Sequence, residues 1–121
     1  MKSPFVVSVI LNTNRRDDTL AVLDSISRNT YPHHQVIVLD NASTDGSIEA
    51  IQARFPAVSN IRLERNLGYA GNNNVGIEAA LKLGADWVFV LNEDTLLAPD
   101  CINRLVEAGS TQERIGIVGP M

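Results

Sequence analysis

The sequence predicts an α/β domain, a doubly wound and mainly parallel sheet with helices on both faces. Two observations carry this expectation. Short apolar runs without internal charge, such as Trp87-Val88-Phe89-Val90-Leu91, recur along the chain, and such runs belong to strands buried on both faces of a parallel sheet. Between them lie segments with apolar residues at helical spacing, and regular strand-helix alternation is the pattern of parallel strands joined by right-handed crossovers.

Each element has its own signal. Phe5 to Leu11 is the first strand. Asp17 or Asp18 then caps a helix that runs to about Asn29 with Leu20, Leu23 and Ile26 on one face, and Tyr31-Pro32 closes the unit. His33-His34 reads as a solvated turn on the side of the sheet away from the strands' carboxyl ends. Val36 to Leu39 is the second strand and delivers Asp40. Thr44 or Asp45 caps the next helix, with Ile48, Ile51 and Phe55 inward, until Pro56 stops it. Asn60 to Glu64 is the third strand, Arg65 to Ala70 a loop, and Gly71 or Asn72 opens a helix carrying Ile77 and Leu81, with Gly84 as its C-terminal cap. Trp87 to Leu91 is the fourth strand. Pro99 suits the first turn of a helix bearing Ile102, Leu105 and Val106, and Ile115 to Val118 is a fifth strand. No shift in composition divides residues 1–121, which read as a single domain. The chain ends at Met121 just beyond that strand, so the expectation is a domain cut short whose bare edge recruits another copy.

Composition narrows the function classes. The 121 residues are 45% hydrophobic and 20% charged, with a net charge of -4, an ordinary globule able to bury roughly 65% of its unfolded surface. The basic residues are scattered singly apart from Arg15-Arg16, which gives no stripe for a nucleic-acid backbone. No apolar run approaches the roughly 20 residues of a membrane span, and the N-terminus lacks a secretory h-region, so a cytoplasmic setting is expected. A lone Cys101 excludes an intrachain disulfide and any multi-cysteine zinc site.

Ligands of open α/β sheets bind beyond the carboxyl ends of the strands. Four loops fall there: Asn12-Thr13-Asn14, Asp40 to Asp45, Arg65 to Asn74, and Asn92-Glu93-Asp94. Adjacent acids emerging from a strand as apolar as Trp87 to Leu91 repel each other and lose hydration, which a cation, a proton or a donor network must compensate, and a divalent metal with a phosphate ligand is the economical explanation. A carboxylate at Asp40 accepts the imide N–H of a uracil or thymine ring. The asparagines suit ribose hydroxyls or phosphate oxygens, although Asn and Gly also serve simply as turn residues, and Asp45 as a cap. Arg15 and Arg16 are surface charges or phosphate contacts. Absent signals matter as well. The first strand lacks a following Gly-x-Gly-x-x-Gly, and the chain has neither Gly-x-x-x-x-Gly-Lys-Ser/Thr nor Gly-x-Ser-x-Gly, which disfavours a dinucleotide oxidoreductase, a P-loop phosphotransferase and an esterase.

Four motifs in order, Val9-Ile10-Leu11-Asn12-Thr13-Asn14, Val36 to Ser47, Asn66 to Gly76, and Leu91-Asn92-Glu93-Asp94, resemble the family 2 glycosyltransferases of GT-A fold, above all their rhamnosyltransferase-like branch. The resemblance covers nearly the whole chain. It implies that Asp40 binds the nucleotide base, and that Asn12 and the Asn66 to Asn74 segment, Gly68 and Asn73 included, shape the donor pocket. It also implies that Asn92-Glu93-Asp94 is the acidic motif usually written Asp-x-Asp, with Asn92 and Glu93 against the donor and Asp94 on the metal. The cofactor so implied is Mg2+ or Mn2+, the donor a dTDP- or UDP-sugar, and the acceptor a hydroxyl of a glycan or lipid-linked glycan in cell-wall or polysaccharide biosynthesis. Three departures stand out: Asn92 replaces the first Asp, Leu11 stands where many relatives have Pro, and Asn73 where many have Arg. The family's catalytic base is a carboxylate well downstream, so no catalytic residue is expected in this chain. The alternative is a non-catalytic nucleotide-binding or receiver-like α/β module. Receivers resemble one another in an acidic pair after the first strand and a Lys after the fifth, where this chain has Asn12-Thr13-Asn14 and Gly119-Pro120.

Overall fold

The computed structural model describes residues 4–63 and 68–91, together with Ile102 and Val106. Seven elements follow in order: β1 (Val6–Asn12), α1 (Arg16–Ser27), β2 (His34–Asp40), α2 (Ser47–Arg54), β3 (Ser59–Arg62), α3 (Gly68–Lys82) and β4 (Trp87–Leu91). The strands form one sheet of order β3-β2-β1-β4, parallel at every pairing. The chain winds outward from β1 to β3 with α1 and α2 on one face, then returns past β1 to β4 by way of α3 on the other. Right-handed crossovers require that change of face when the winding reverses. The reversal leaves a topological switch point between β1 and β4.

The alternating side chains of the buried strands make two cores. Val6, Ile10, Val36, Val38, Phe89 and Leu91 pack with Val22, Leu23 and Ile26 of α1 and Ile51 of α2, joined by the helical and buried Ile102 and Val106. Val7, Val9, Ile37, Leu39 and Val88 face the α3 side with Ala80. Close approach on that side depends on Gly76, where an added Cβ would sit 2.4 Å from Val9 Cγ1 and 2.9 Å from Leu39 Cδ1. The sheet-facing row of α3 is therefore Asn73, Gly76 and Ala80 at helical spacing. Leu81 falls outside the row and is 58% exposed, in contrast to its expected place beside Ile77.

Several boundaries move for identifiable reasons. Neither Asp17 nor Asp18 caps α1, which starts at Arg16 without a side-chain cap of its own; the amides of Arg15 and Arg16 are met by Asn12 and Asp45 instead. Thr44 does not cap α2 either, because its N–H and hydroxyl both donate to Asn14. α3 begins three residues ahead of the expected start, at Gly68 with φ of +80°, so part of the expected loop is helix. His34 is not a solvated turn residue: it opens β2, with Nε2 2.7 Å from the Ser8 hydroxyl. Gly84, at φ +89°, ends α3 in the left-handed geometry that suits glycine. The expected fifth strand at Ile115 to Val118 lies outside the described residues.

Candidate functional site

The last residues of β1 and β2, Asn12 and Asp40, are register partners at the carboxyl rim. Both side chains are wholly buried, and burial obliges polar groups to find partners. Asn12 Nδ2 donates to Asp40 Oδ1 at 3.0 Å and to Ser43 Oγ at 3.2 Å. Its Oδ1 accepts from Thr19 Oγ1 at 2.8 Å and from the Arg15 amide at 3.3 Å. Two donor hydrogens and two acceptor lone pairs are thereby all used. Asn12 thus holds its neighbours in place with no capacity to spare. Asp40 differs: its Oδ2 accepts the Ser43 amide at 3.0 Å, so each carboxylate oxygen takes one bond and keeps acceptor capacity.

A second layer of bonds laces the β1–α1 loop to the β2–α2 loop. Asn14, at φ +51°, accepts the Thr44 amide at 2.8 Å on Oδ1 while its own amide donates to Ser43 Oγ at 2.9 Å. Asp45 spans the starts of two helices: Oδ2 accepts the Arg16 amide at 3.0 Å, and Oδ1 accepts the Ser47 amide at 3.1 Å together with the Ser47 hydroxyl. The Ser47 hydroxyl, aided by those two amides, holds the Asp45 carboxyl below its ordinary range. Arg16 Nη1 returns a bond to the Asp45 carbonyl at 3.1 Å. Ala42 sits at φ +54° between these anchors, the bend that brings Ser43 back beneath Asp40. A cavity of about 300 Å³ opens beside the lacing, lined by Asn14, Arg15, Arg16, Asp17, Asp18 and Asp45. Its arginines are partly neutralised, Arg15 by Asp18 at 3.1 Å and Arg16 by Asp17 at 3.5 Å.

On the α3 side, Asn73 is 5% exposed, and neither polar atom of its carboxamide has a partner among the described residues. It precedes Gly76 by one turn on the sheet-facing row, nearer the carboxyl rim because α3 departs from that end. Gly68 stands at the start of α3, where a Cβ would meet nothing within 4 Å. Asn66, Asn92, Glu93 and Asp94 lie outside the described residues, and among the described residues no group of three or more His, Cys, Asp or Glu is placed to hold a metal ion. Of the expected site residues, the rim brings together Asn12 and Asp40. Ser43, Asn14 and Thr19 join them, and for Ser43 the sequence signal is its place three residues after Asp40, a spacing at which a carboxylate readily accepts a backbone amide.

A family model described as Glycosyl transferase family 2 matches residues 8–120. The chain is 34% identical over 107 residues to the N-acetylglucosaminyl-diphospho-decaprenol L-rhamnosyltransferase of Mycobacterium tuberculosis, covering 82% of this chain and 35% of that protein. It is 35% identical over 91 residues to the galactofuranosyltransferase GlfT1 of Mycolicibacterium smegmatis, covering 74% of this chain and 30% of that protein. Among solved structures, the mannosyltransferase PcManGT from Pyrobaculum calidifontis, in complex with GDP-Man and Mn2+, superposes with a TM-score of 0.79 at 25% identity over 88% of this chain and 32% of that one. TarS of S. aureus, in complex with UDP, matches with a TM-score of 0.72 at 18% identity, a likeness of fold. The chain spans about a third of the length of the curated relatives it matches.

Proposed function

The chain belongs to glycosyl transferase family 2, with the GT-A arrangement of parallel strands, and from that premise we propose that it is the donor-binding part of a sugar transferase. The donor is a dTDP- or UDP-sugar, and the acceptor a hydroxyl on a glycan or lipid-linked glycan. The observation that carries this reading is Asp40, a buried carboxylate pinned at the carboxyl rim by one bond on each oxygen and still able to accept an imide N–H. Asn73, whose donor and acceptor are both unpaired among the described residues, supplies a second polar group for the nucleoside. Asn12 and Asp45 fix the two loops on which base and ribose rest.

A divalent metal, Mg2+ or Mn2+, fits the donor class and the Mn2+ named for PcManGT; Asp94 would hold it, with Asn92 and Glu93 against the donor, and bound there it would offset the charge that builds on the departing diphosphate. The chain's own described residues bind and orient. The lacing excludes water from Asp40, and a dry surround strengthens each charge-assisted bond made there. No residue among those described is assigned as the base that deprotonates the acceptor; their proposed part is to bind and orient the donor.

Isothermal titration of UDP, dTDP, GDP and ADP, each with and without Mn2+, tests the reading. The expected result is tighter binding of the pyrimidine diphosphates, strengthened by the metal. Equal affinity for purines and pyrimidines would remove Asp40 from base recognition, and failure of every nucleoside diphosphate to bind would reject the donor-site assignment.

A further inference from the structure

The opposite end of the sheet holds a cavity that the donor site does not use. It measures about 370 Å³ and lies between α1, the start of β2 and the segment after α2. β2 has His34 at this end and Asp40 at the other, so about 20 Å of strand separates the cavity from the carboxyl rim. Its volume is at the lower end of the about 300–1,000 Å³ typical of small-molecule sites. Leu23, Ile26, Val36 and Phe55 wall it with apolar surface.

Its polar lining is Ser27, His34, Gln35 and Arg54. Among the described residues no carboxylate lines the cavity, and the one charged lining residue is Arg54. That guanidinium lies over the Phe55 ring at 5.3 Å, a position that leaves its N–H fork open, and none of the ion pairs among the described residues engages it. His34 adds an imidazole whose Nε2 is taken by Ser8 and whose Nδ1 has no hydrogen-bond partner among the described residues. Burial lowers the His34 pKa to about 4, so the ring adds no second charge at neutral pH. One cation above a largely apolar chamber, with the neutral hydrogen-bonding groups of Ser27, His34 and Gln35 along it, matches a singly charged amphiphile.

We infer that this cavity is a second binding site, remote from the donor crevice, for a small amphiphilic carboxylate whose aromatic or branched apolar body fills the chamber while its carboxylate pairs with Arg54. A phosphate monoester is the poorer match, because its second negative charge finds no second cation. The inference stands apart from the donor-site reading and does not depend on it.

The test uses the 121-residue chain, labelled for amide NMR, with 2-naphthoate, the neutral 2-naphthalenemethanol and 2-naphthyl phosphate as probes. Naphthoate is expected to shift the amides of Leu23, Val36 and Phe55 in a saturable way, with the alcohol about tenfold weaker and the phosphate no tighter than the carboxylate. Arg54→Gln, on the surface, should bring acid and alcohol to equal affinity. Ala57→Trp, an exposed plug at the cavity mouth, should weaken both at least tenfold. Shifts centred on the carboxyl rim, no saturation, equal binding of acid and alcohol by the unsubstituted chain, or tighter binding of the phosphate would overturn the inference. So would shifts of the same cavity amides that grow with protein concentration without ligand, which would give the cavity to a second copy of the chain.

Discussion

Asp40 and His34 occupy the two ends of β2 and set two predictions at the scale of single residues. Asp40→Asn replaces an acceptor by an N–H2 that must face either Asn12 Nδ2 or the Ser43 amide, donor against donor. Leaving such a group unpaired in a buried site costs about 1–3 kcal/mol. Denaturant unfolding should show that loss with an unchanged m-value, and titration should show the preference for UDP over GDP erased. His34 sets a pH dependence. Its folded pKa, about 4, lies below the ordinary 6.5 because burial disfavours the charged ring. Between those values the unfolded chain binds a proton that the folded chain refuses, so stability falls as pH drops from 6.5 towards 4 and is full above 6.5. At 1.36 kcal/mol per pKa unit the ceiling is about 3 kcal/mol. Unfolding free energies measured across pH 4–7 should show this slope, and His34→Gln, which keeps a partner for Ser8, should flatten it.

At the scale of elements, α3 and the β2–α2 loop place opposite demands on small residues. Alanine favours a helix over glycine by about 1 kcal/mol, yet Gly76→Ala drives a methyl to 2.4 Å from Val9 and 2.9 Å from Leu39, both in the packed core. Overpacking of this kind costs about 1–3 kcal/mol and outweighs the helical gain, so Gly76→Ala should lower the melting temperature. Ala42 shows the reverse. It is exposed at φ +54°, a conformation costing an alanine about 1 kcal/mol relative to glycine. Ala42→Gly should therefore leave stability level or raise it, and a fall on thermal unfolding would show that the bend is held by something other than backbone geometry.

Across the whole molecule, the proposed donor site lies on two loops laced over the rim, so on that reading donor binding and folding form one linked equilibrium. A ligand that binds only the folded chain adds about 2.7 kcal/mol at a hundred times its dissociation constant. At roughly 4 °C per kcal/mol for a domain of this size, saturating UDP with Mn2+ should raise the melting temperature by about 10 °C, and GDP by less. Asp45→Ala, which cuts the bonds joining α1 to α2, should lower both the starting melting temperature and the ligand-induced rise. A rise left intact would uncouple the lacing from the donor site.

Strand order in the chain, the parallel sheet, the βα alternation and the placing of Asp40 at a strand's carboxyl end were legible in the sequence. They follow from local causes: charge-free apolar runs, helical spacing, and glycine or proline where an element stops. β4 was located to the residue for that reason. Asp94 and its neighbours were equally legible as a motif, and their placement is outside the described residues. Tertiary structure alone decided the rest, because partners far apart in the chain overrode local preference. Asp45 serves the start of α1 from 29 residues away while Asp17 and Asp18 do not cap it. Asn12 spends every hydrogen bond on Asp40, Ser43, Thr19 and Arg15. His34 is a strand residue because its backbone pairs with Val6 of β1, and Ser8 of the same strand meets its ring. Apolar periodicity records which face a segment buries; it does not record which polar atom lies across the sheet, and at the rim of a parallel sheet that pairing decides what each side chain is free to bind.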